Sequence, residues 1–268
     1  MVAQPPVSQA LVPGTELLRP EWLAERIADM GISWGTADSR VSGTLWWCMA
    51  ASSLVDPIVA AIASDAPAFD PALERIVLEI RPDGGVERVL GEPHGYRIAA
   101  RLIALGSDAA TAPDMAAASI VDPLTPAPTG DTEPEVRSTD LGGCVSGPES
   151  GCATASVGHA LRHTLSRVIP VVAEVSGAGV AALWAIVADA IGNRALDIGA
   201  EEAGARLARD VAGRLPVPRF QDVGGRTFVR RISCCLVFEV PGCTMCTSCP
   251  KRPAAEREVL LAEVAARG

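Results

Sequence analysis

Apolar positions recur at helical spacing through most of the chain and switch to alternation only once. Trp22, Leu23, Ile27 and Met30 share a face after Pro20-Glu21, which predicts a helix stopped by Gly31. Thr44 to Ala63 carries Asp56 as its one charge and predicts a long buried helix that Pro57 would break. Ile76, Leu78 and Ile80 then alternate with Val77 and Glu79. Pro82-Asp83-Gly84-Gly85 supplies a turn and Val86 to Leu90 returns, so a β-hairpin is expected near residues 75–90. Tyr96–Leu105, Ala153–Arg167, Val180–Ile191, Glu201–Leu215 and Ala254–Ala266 read as further helices, with Pro170 opening or kinking a segment of its own. Residues 1–19 are Pro-rich and unpatterned and read as a loose arm. Ser107–Gly151, rich in Pro, Thr, Asp, Ser and Gly, reads as a long surface loop.

These elements predict an α+β fold class, mostly helical with a small antiparallel β-hairpin or sheet. The expected organisation is a helical domain over 1–224, with its hairpin near 75–90 and its loop over 107–151, and a cysteine-rich segment with a terminal helix over 225–268. The two are expected to form one compact unit. Hydrophobic residues make up 49% of the 268, enough for a sizeable core, but aromatics make up only 4%, so small aliphatic side chains must fill it. The net charge of −9 argues against a nucleic-acid partner. Val41–Val55 and Val175–Ala188 are uncharged but shorter than the ~20 apolar residues a spanning helix needs. No transmembrane segment is expected, although peripheral contact with the inner face of a membrane is compatible with the sequence. The start, Met1-Val2-Ala3-Gln4-Pro5-Pro6, has neither the basic nor the apolar region of a signal peptide, which predicts a cytoplasmic protein with reduced thiols.

The candidate chemistry is concentrated near the end. Five of the eight cysteines, Cys234, Cys235, Cys243, Cys246 and Cys249, fall within sixteen residues. Thiolates gathered this tightly suit zinc or an iron–sulfur cluster. A zinc ribbon uses two CxxC knuckles, and here Cys-Cys replaces the first. Cys243, Cys246, Cys249 and Pro250 imitate part of a bacterial ferredoxin run, so a 4Fe–4S site completed by Cys234 or Cys235 is one alternative. Adjacent cysteines in a strand point to opposite faces, so Cys234 and Cys235 need a turn to share a centre.

The spacing Cys234-Cys235-x10-Cys246-x2-Cys249, preceded by Arg230-Arg231, resembles the signature of the ferric siderophore reductases, the FhuF-like ferric iron reductase family. The resemblance implies a cytoplasmic, sometimes membrane-associated protein that passes electrons to siderophore-bound iron(III). It implies a 2Fe–2S cluster as cofactor, held by Cys234, Cys235, Cys246 and Cys249, with the ferric siderophore as substrate and a flavin or ferredoxin-type reductase as electron donor. Cys243 is an extra thiol inside the gap and an alternate ligand. The segment 225–252 carries Arg226, Arg230, Arg231, Lys251 and Arg252 against Glu239, a local positive charge on an acidic chain. Arg230, Arg231 and Lys251 are the candidates for orienting an anionic chelate. The reading from another class is a non-enzymatic metal-binding module: a structural zinc site, or an iron–sulfur sensor or electron-transfer partner.

Other motifs are read as structural. Gly177-Ala-Gly179-Val-Ala-Ala182 matches a dinucleotide fingerprint, but without βαβ units around it a glycine turn between two core helices is the better account. His159 and His163 share a helix face and read as structural, as do His94 in a turn, Cys144 and Cys152 beside the long loop, and Cys48 in the apolar helix. Trp46 and Trp47 cannot share one side of that helix, so one could stack on a ligand or a partner, but core packing alone is the better account of both. No GxSxG, P-loop or HExxH motif is present.

Overall fold

Asp38 starts the longest apolar stretch: its carboxylate accepts from the backbone N–H of Arg40 at 2.8 Å and of Val41 at 3.2 Å, capping helix α2 (Ser39–Ala63). The computed structural model describes residues 10–91 and 150–267, and of residues 150–156 only the backbone. The expected helix over 96–105, His94, Cys144 and nearly all of the loop over 107–151 lie outside these residues.

Helix α2 has buried residues on every side, from Val41 to Ile62, because four other helices surround it. These are α1 (Pro20–Trp34), α3 (Ser150–Ser176), α4 (Val180–Asp197) and α5 (Glu201–Val211). By length and composition α2 alone among the described helices would suffice to cross a membrane. Here its apolar residues form the centre of the core. Trp46 and Trp47 are both buried, in line with core packing alone and leaving neither free to stack on a ligand. Their indole N–H groups donate to Gly84 O at 2.9 Å and to Leu183 O at 3.0 Å.

Both internal prolines are carried through. Pro57 leaves α2 unbroken beside exposed Asp56, and Pro170 leaves α3 unbroken with exposed Ser166 one turn before it. The carbonyl that Pro170 deprives of a donor belongs to Ser166, an exposed residue, where the interruption is less costly than in the core. Gly31 does not stop α1. The helix continues to Trp34 and ends at Gly35, whose φ of 69° is the left-handed cap. Gly177 and Gly179 lie between α3 and α4, as a turn between helices.

Three strands, β1 (Ala10–Pro13), β2 (Ile76–Ile80) and β3 (Val86–Gly91), form an antiparallel sheet in that order, with Leu78 opposite both Val12 and Val89. The expected loose arm thus supplies an edge strand, too short to show a period of its own. A second hairpin, β4 (Phe220–Val223) and β5 (Arg226–Val229), turns through Gly224 and Gly225, both at positive φ. Helix α6 (Ala254–Arg267) closes the chain and contacts β4.

The β2–β3 turn is fastened to the helices. Gly84 has φ 78°, and a Cβ there would come within 2.5 Å of Arg26 O. Gly84→Ala should cost about 2 kcal/mol or more, from the left-handed backbone and the clash together. Gly35→Ala, also at positive φ but with nothing within 4 Å, should cost about 1–2 kcal/mol from conformation alone. Urea denaturation of both variants tests the difference, and equal losses would contradict the close contact.

Candidate metal centre

The segment after β5 contains little regular structure, so buried groups elsewhere must hold it. Asp189, 4% exposed on α4, does so first. Its carboxylate accepts from Ile232 N at 3.1 Å, from Ser233 N at 2.8 Å and from Ser233 Oγ at 2.6 Å. Three donors on one buried carboxylate fix the chain immediately before Cys234.

Adjacent cysteines need a turn, and the backbone supplies one. Leu236 is left-handed at φ 62°, a strained position for a branched side chain, and leads into a short helical turn over Val237–Glu239. The N–H groups of Leu236 and Val237 thereby act on the thiols of Cys234 and Cys235, favouring their thiolate forms. On the far side, Cys249 N donates to Cys246 O at 3.2 Å, which closes the CxxC turn. Arg252 Nη2 donates to Met245 O at 2.6 Å and Arg257 Nη1 to Cys249 O at 3.4 Å.

The thiols meet as two pairs. Cys234 Sγ lies 3.7 Å from Cys249 Sγ, and Cys235 and Cys246 are near enough that each is the strongest influence on the other's ionisation. Two thiolates on one tetrahedral metal, at a metal–sulfur distance of about 2.3 Å, sit about 3.7 Å apart. Among the described residues, no three His, Cys, Asp or Glu side chains are placed around one point as a single ion would require. Cys249 is buried and the other three are half-buried. Cys243 is also half-buried and, like Cys234 and Cys235, packs against the core, and its N–H donates to Val240 O at 3.1 Å.

Charge is balanced within the site. Arg231 Nη1 lies 3.6 Å from Cys246 Sγ, and its Nε lies 3.6 Å from Asp189 Oδ2. That Nε is buried without a hydrogen-bond partner. An orphaned donor among thiols fits a sulfur-rich group that brings further acceptors. Burial works against the Arg231 charge, but Cys235, Cys246 and Asp189 outweigh it and raise its pKa. The Cys235 thiol is lowered to about 5, first by Cys246, against the opposing effect of burial, with help from Val237 N–H and Arg231. Cys246, the other member of that pair, is pushed up, and Cys234 is raised chiefly by burial.

Residues 231–251 match the FhuF 2Fe-2S C-terminal domain. The match is short, and it is consistent with the FhuF-like ferric siderophore reductase family. No curated protein and no solved structure matches the chain.

The three basic candidates differ in place within this FhuF-type segment. Arg230 is exposed. Lys251 is exposed too, 3.7 Å from Glu239 and over the Phe238 ring. Arg231, with a side chain 17% exposed, is turned inward onto Cys246 and Asp189. His159 and His163 are exposed on α3, away from any metal-holding group among the described residues. Sequence reasoning missed two neighbours of the site. Asp189 gave no local signal, because it sits 44 residues before Ser233. Cys48 was read as simple core, yet the charges acting on its thiol include Cys235, Arg231, Asp189 and Cys234, while burial pushes it up to about 12.

Proposed function

We propose that this chain binds a 2Fe–2S cluster on Cys234, Cys235, Cys246 and Cys249 and uses it to reduce siderophore-bound iron(III), releasing iron(II). The observation that carries this reading is the gathering of the four thiols within the matched segment, with Cys234 Sγ 3.7 Å from Cys249 Sγ and with Cys235 and Cys246 acting most strongly on each other's charge. Two pairs suit two irons, whereas one structural zinc needs four sulfurs around one point. When bound, the cluster supplies one-electron transfer.

The chain's own residues do the rest. Leu236 and Val237 N–H groups support negative charge on Cys234 and Cys235, and Arg231 balances it from the Cys246 side. Arg252 and Arg257 keep the Met245–Cys249 turn folded. Arg230 and Lys251, exposed at the two ends of the segment, attract an anionic ferric chelate. Hard oxygen donors hold iron(III) more tightly than the softer iron(II), so one electron loosens the metal. The electron comes from a flavin or ferredoxin-type reductase. Residues 1–224 act as the scaffold and 225–268 as the cluster-bearing segment of one unit, in the cytoplasm, with any membrane contact peripheral.

Protein purified without oxygen should contain about two irons and two acid-labile sulfides per chain. The reduced sample should reoxidise when a ferric siderophore is added, with iron(II) trapped by a ferrous chelator. Zinc without sulfide would sink the reading in favour of a structural module. About four irons and four sulfides would bring Cys243 into a larger cluster. A cluster that turns over no ferric chelate would leave a sensor or an electron-transfer partner.

A further inference from the structure

The structure assigns Asp189 as a positioning residue for the metal centre: from α4 it fixes the backbone entering Cys234-Cys235 and sets the charge facing the cluster through Arg231. The inference rests on the cluster reading above. Its support is geometric. The carboxylate is 4% exposed and takes Ile232 N, Ser233 N and Ser233 Oγ. Arg231 lies between it and Cys246, with Nε 3.6 Å from Oδ2 and Nη1 3.6 Å from Sγ. The buried negative charge is thus one guanidinium away from a thiolate ligand.

Two consequences are separable. Reduction adds a negative charge to the centre, and a fixed carboxylate nearby opposes it, so Asp189 holds the potential down. Asp189 also orders residues 231–233, whose placement decides where the Cys234-Cys235 turn begins. Besides Asp189, the charges acting on Arg231 include those of Cys235, Cys246 and Cys48. Glu239 is satisfied by Arg40 and Lys251, and the Cys48 thiol is held neutral by burial.

The test is the midpoint potential of the cluster in the full chain, measured by anaerobic titration followed by visible absorption. Asp189→Asn keeps the shape and removes the charge. It should shift the electron-transfer equilibrium about tenfold toward the reduced form, about 59 mV more positive for one electron. Ser233→Ala removes one donor, leaves the carboxylate charge less compensated, and should move the potential about twofold to threefold the opposite way. Opposite shifts with two irons and two sulfides retained would support the assignment. A lowered melting temperature of the cluster-free Asp189→Asn chain, with the potential unmoved, would overturn it and leave Asp189 a purely structural residue. If Asp189→Asn does not load a cluster, Ser233→Ala decides, and an unchanged potential there overturns the assignment. Wild-type protein without iron and sulfide would overturn the cluster reading itself, and this inference with it.

Discussion

Cys235→Ser should strip the protein of iron and acid-labile sulfide while leaving the helical far-UV circular dichroism intact. The Cys235 thiol is lowered well below its usual range, first by Cys246, with help from Val237 N–H and Arg231. Serine replaces a soft sulfur ligand by a poor oxygen donor and breaks one of the two pairs. Loss of groups that merely orient a ligand weakens metal sites by about 10–100-fold, so loss of a ligand should lower iron retention at least that much. The helical core has its centre at α2, and the 231–251 segment adds to it mainly through Leu236 and Val240. The chain should therefore stay folded. Cys243→Ser is the paired experiment and should keep both iron and visible absorption, because Cys243 stands outside the two thiol pairs. If Cys243→Ser loses the cluster and Cys235→Ser keeps it, the ligand set is wrong.

Trp47→Ala should be the most destabilising core substitution outside the site. The indole is 1% exposed, and its N–H ties α2 to Leu183 O of α4 at 3.0 Å. Truncating a buried tryptophan costs about 3–5 kcal/mol, a large part of the about 5–15 kcal/mol that holds a domain together. Urea denaturation should show a much lower midpoint. Because α4 also carries Asp189, cluster absorption should disappear at lower urea than in the wild type. Trp47→Phe, which keeps the ring and loses the hydrogen bond, should cost about 1–2 kcal/mol. A midpoint unchanged by Trp47→Ala would contradict the central place of α2.

What could be read from the sequence followed the range of each interaction. The β2–β3 hairpin announced itself because alternation, turn and return are contiguous. The cysteine segment did so because its motif spans sixteen residues. The strand β1 did not: four residues show no periodicity, and pairing with β2 created it. Both internal prolines were overweighted as helix boundaries, since local propensity could not foresee that tertiary packing would carry both helices through them. At the site, the inward turn of Arg231 depends on Asp189 in a helix far upstream. No spacing rule connects the two, and the arginine alone read as a surface charge.

The half-burial of three cysteines has a kinetic meaning. A cluster held by them would lie near the surface and could exchange electrons by simple collision, with no opening motion to gate them. Exposed Arg230 and Lys251 flank the cysteine segment in sequence, on a chain whose net charge is −9. Anionic partners would then be oriented before contact. Their association rates would fall as added salt shortens the screening length to about 10 Å at 0.1 M and about 3 Å at 1 M.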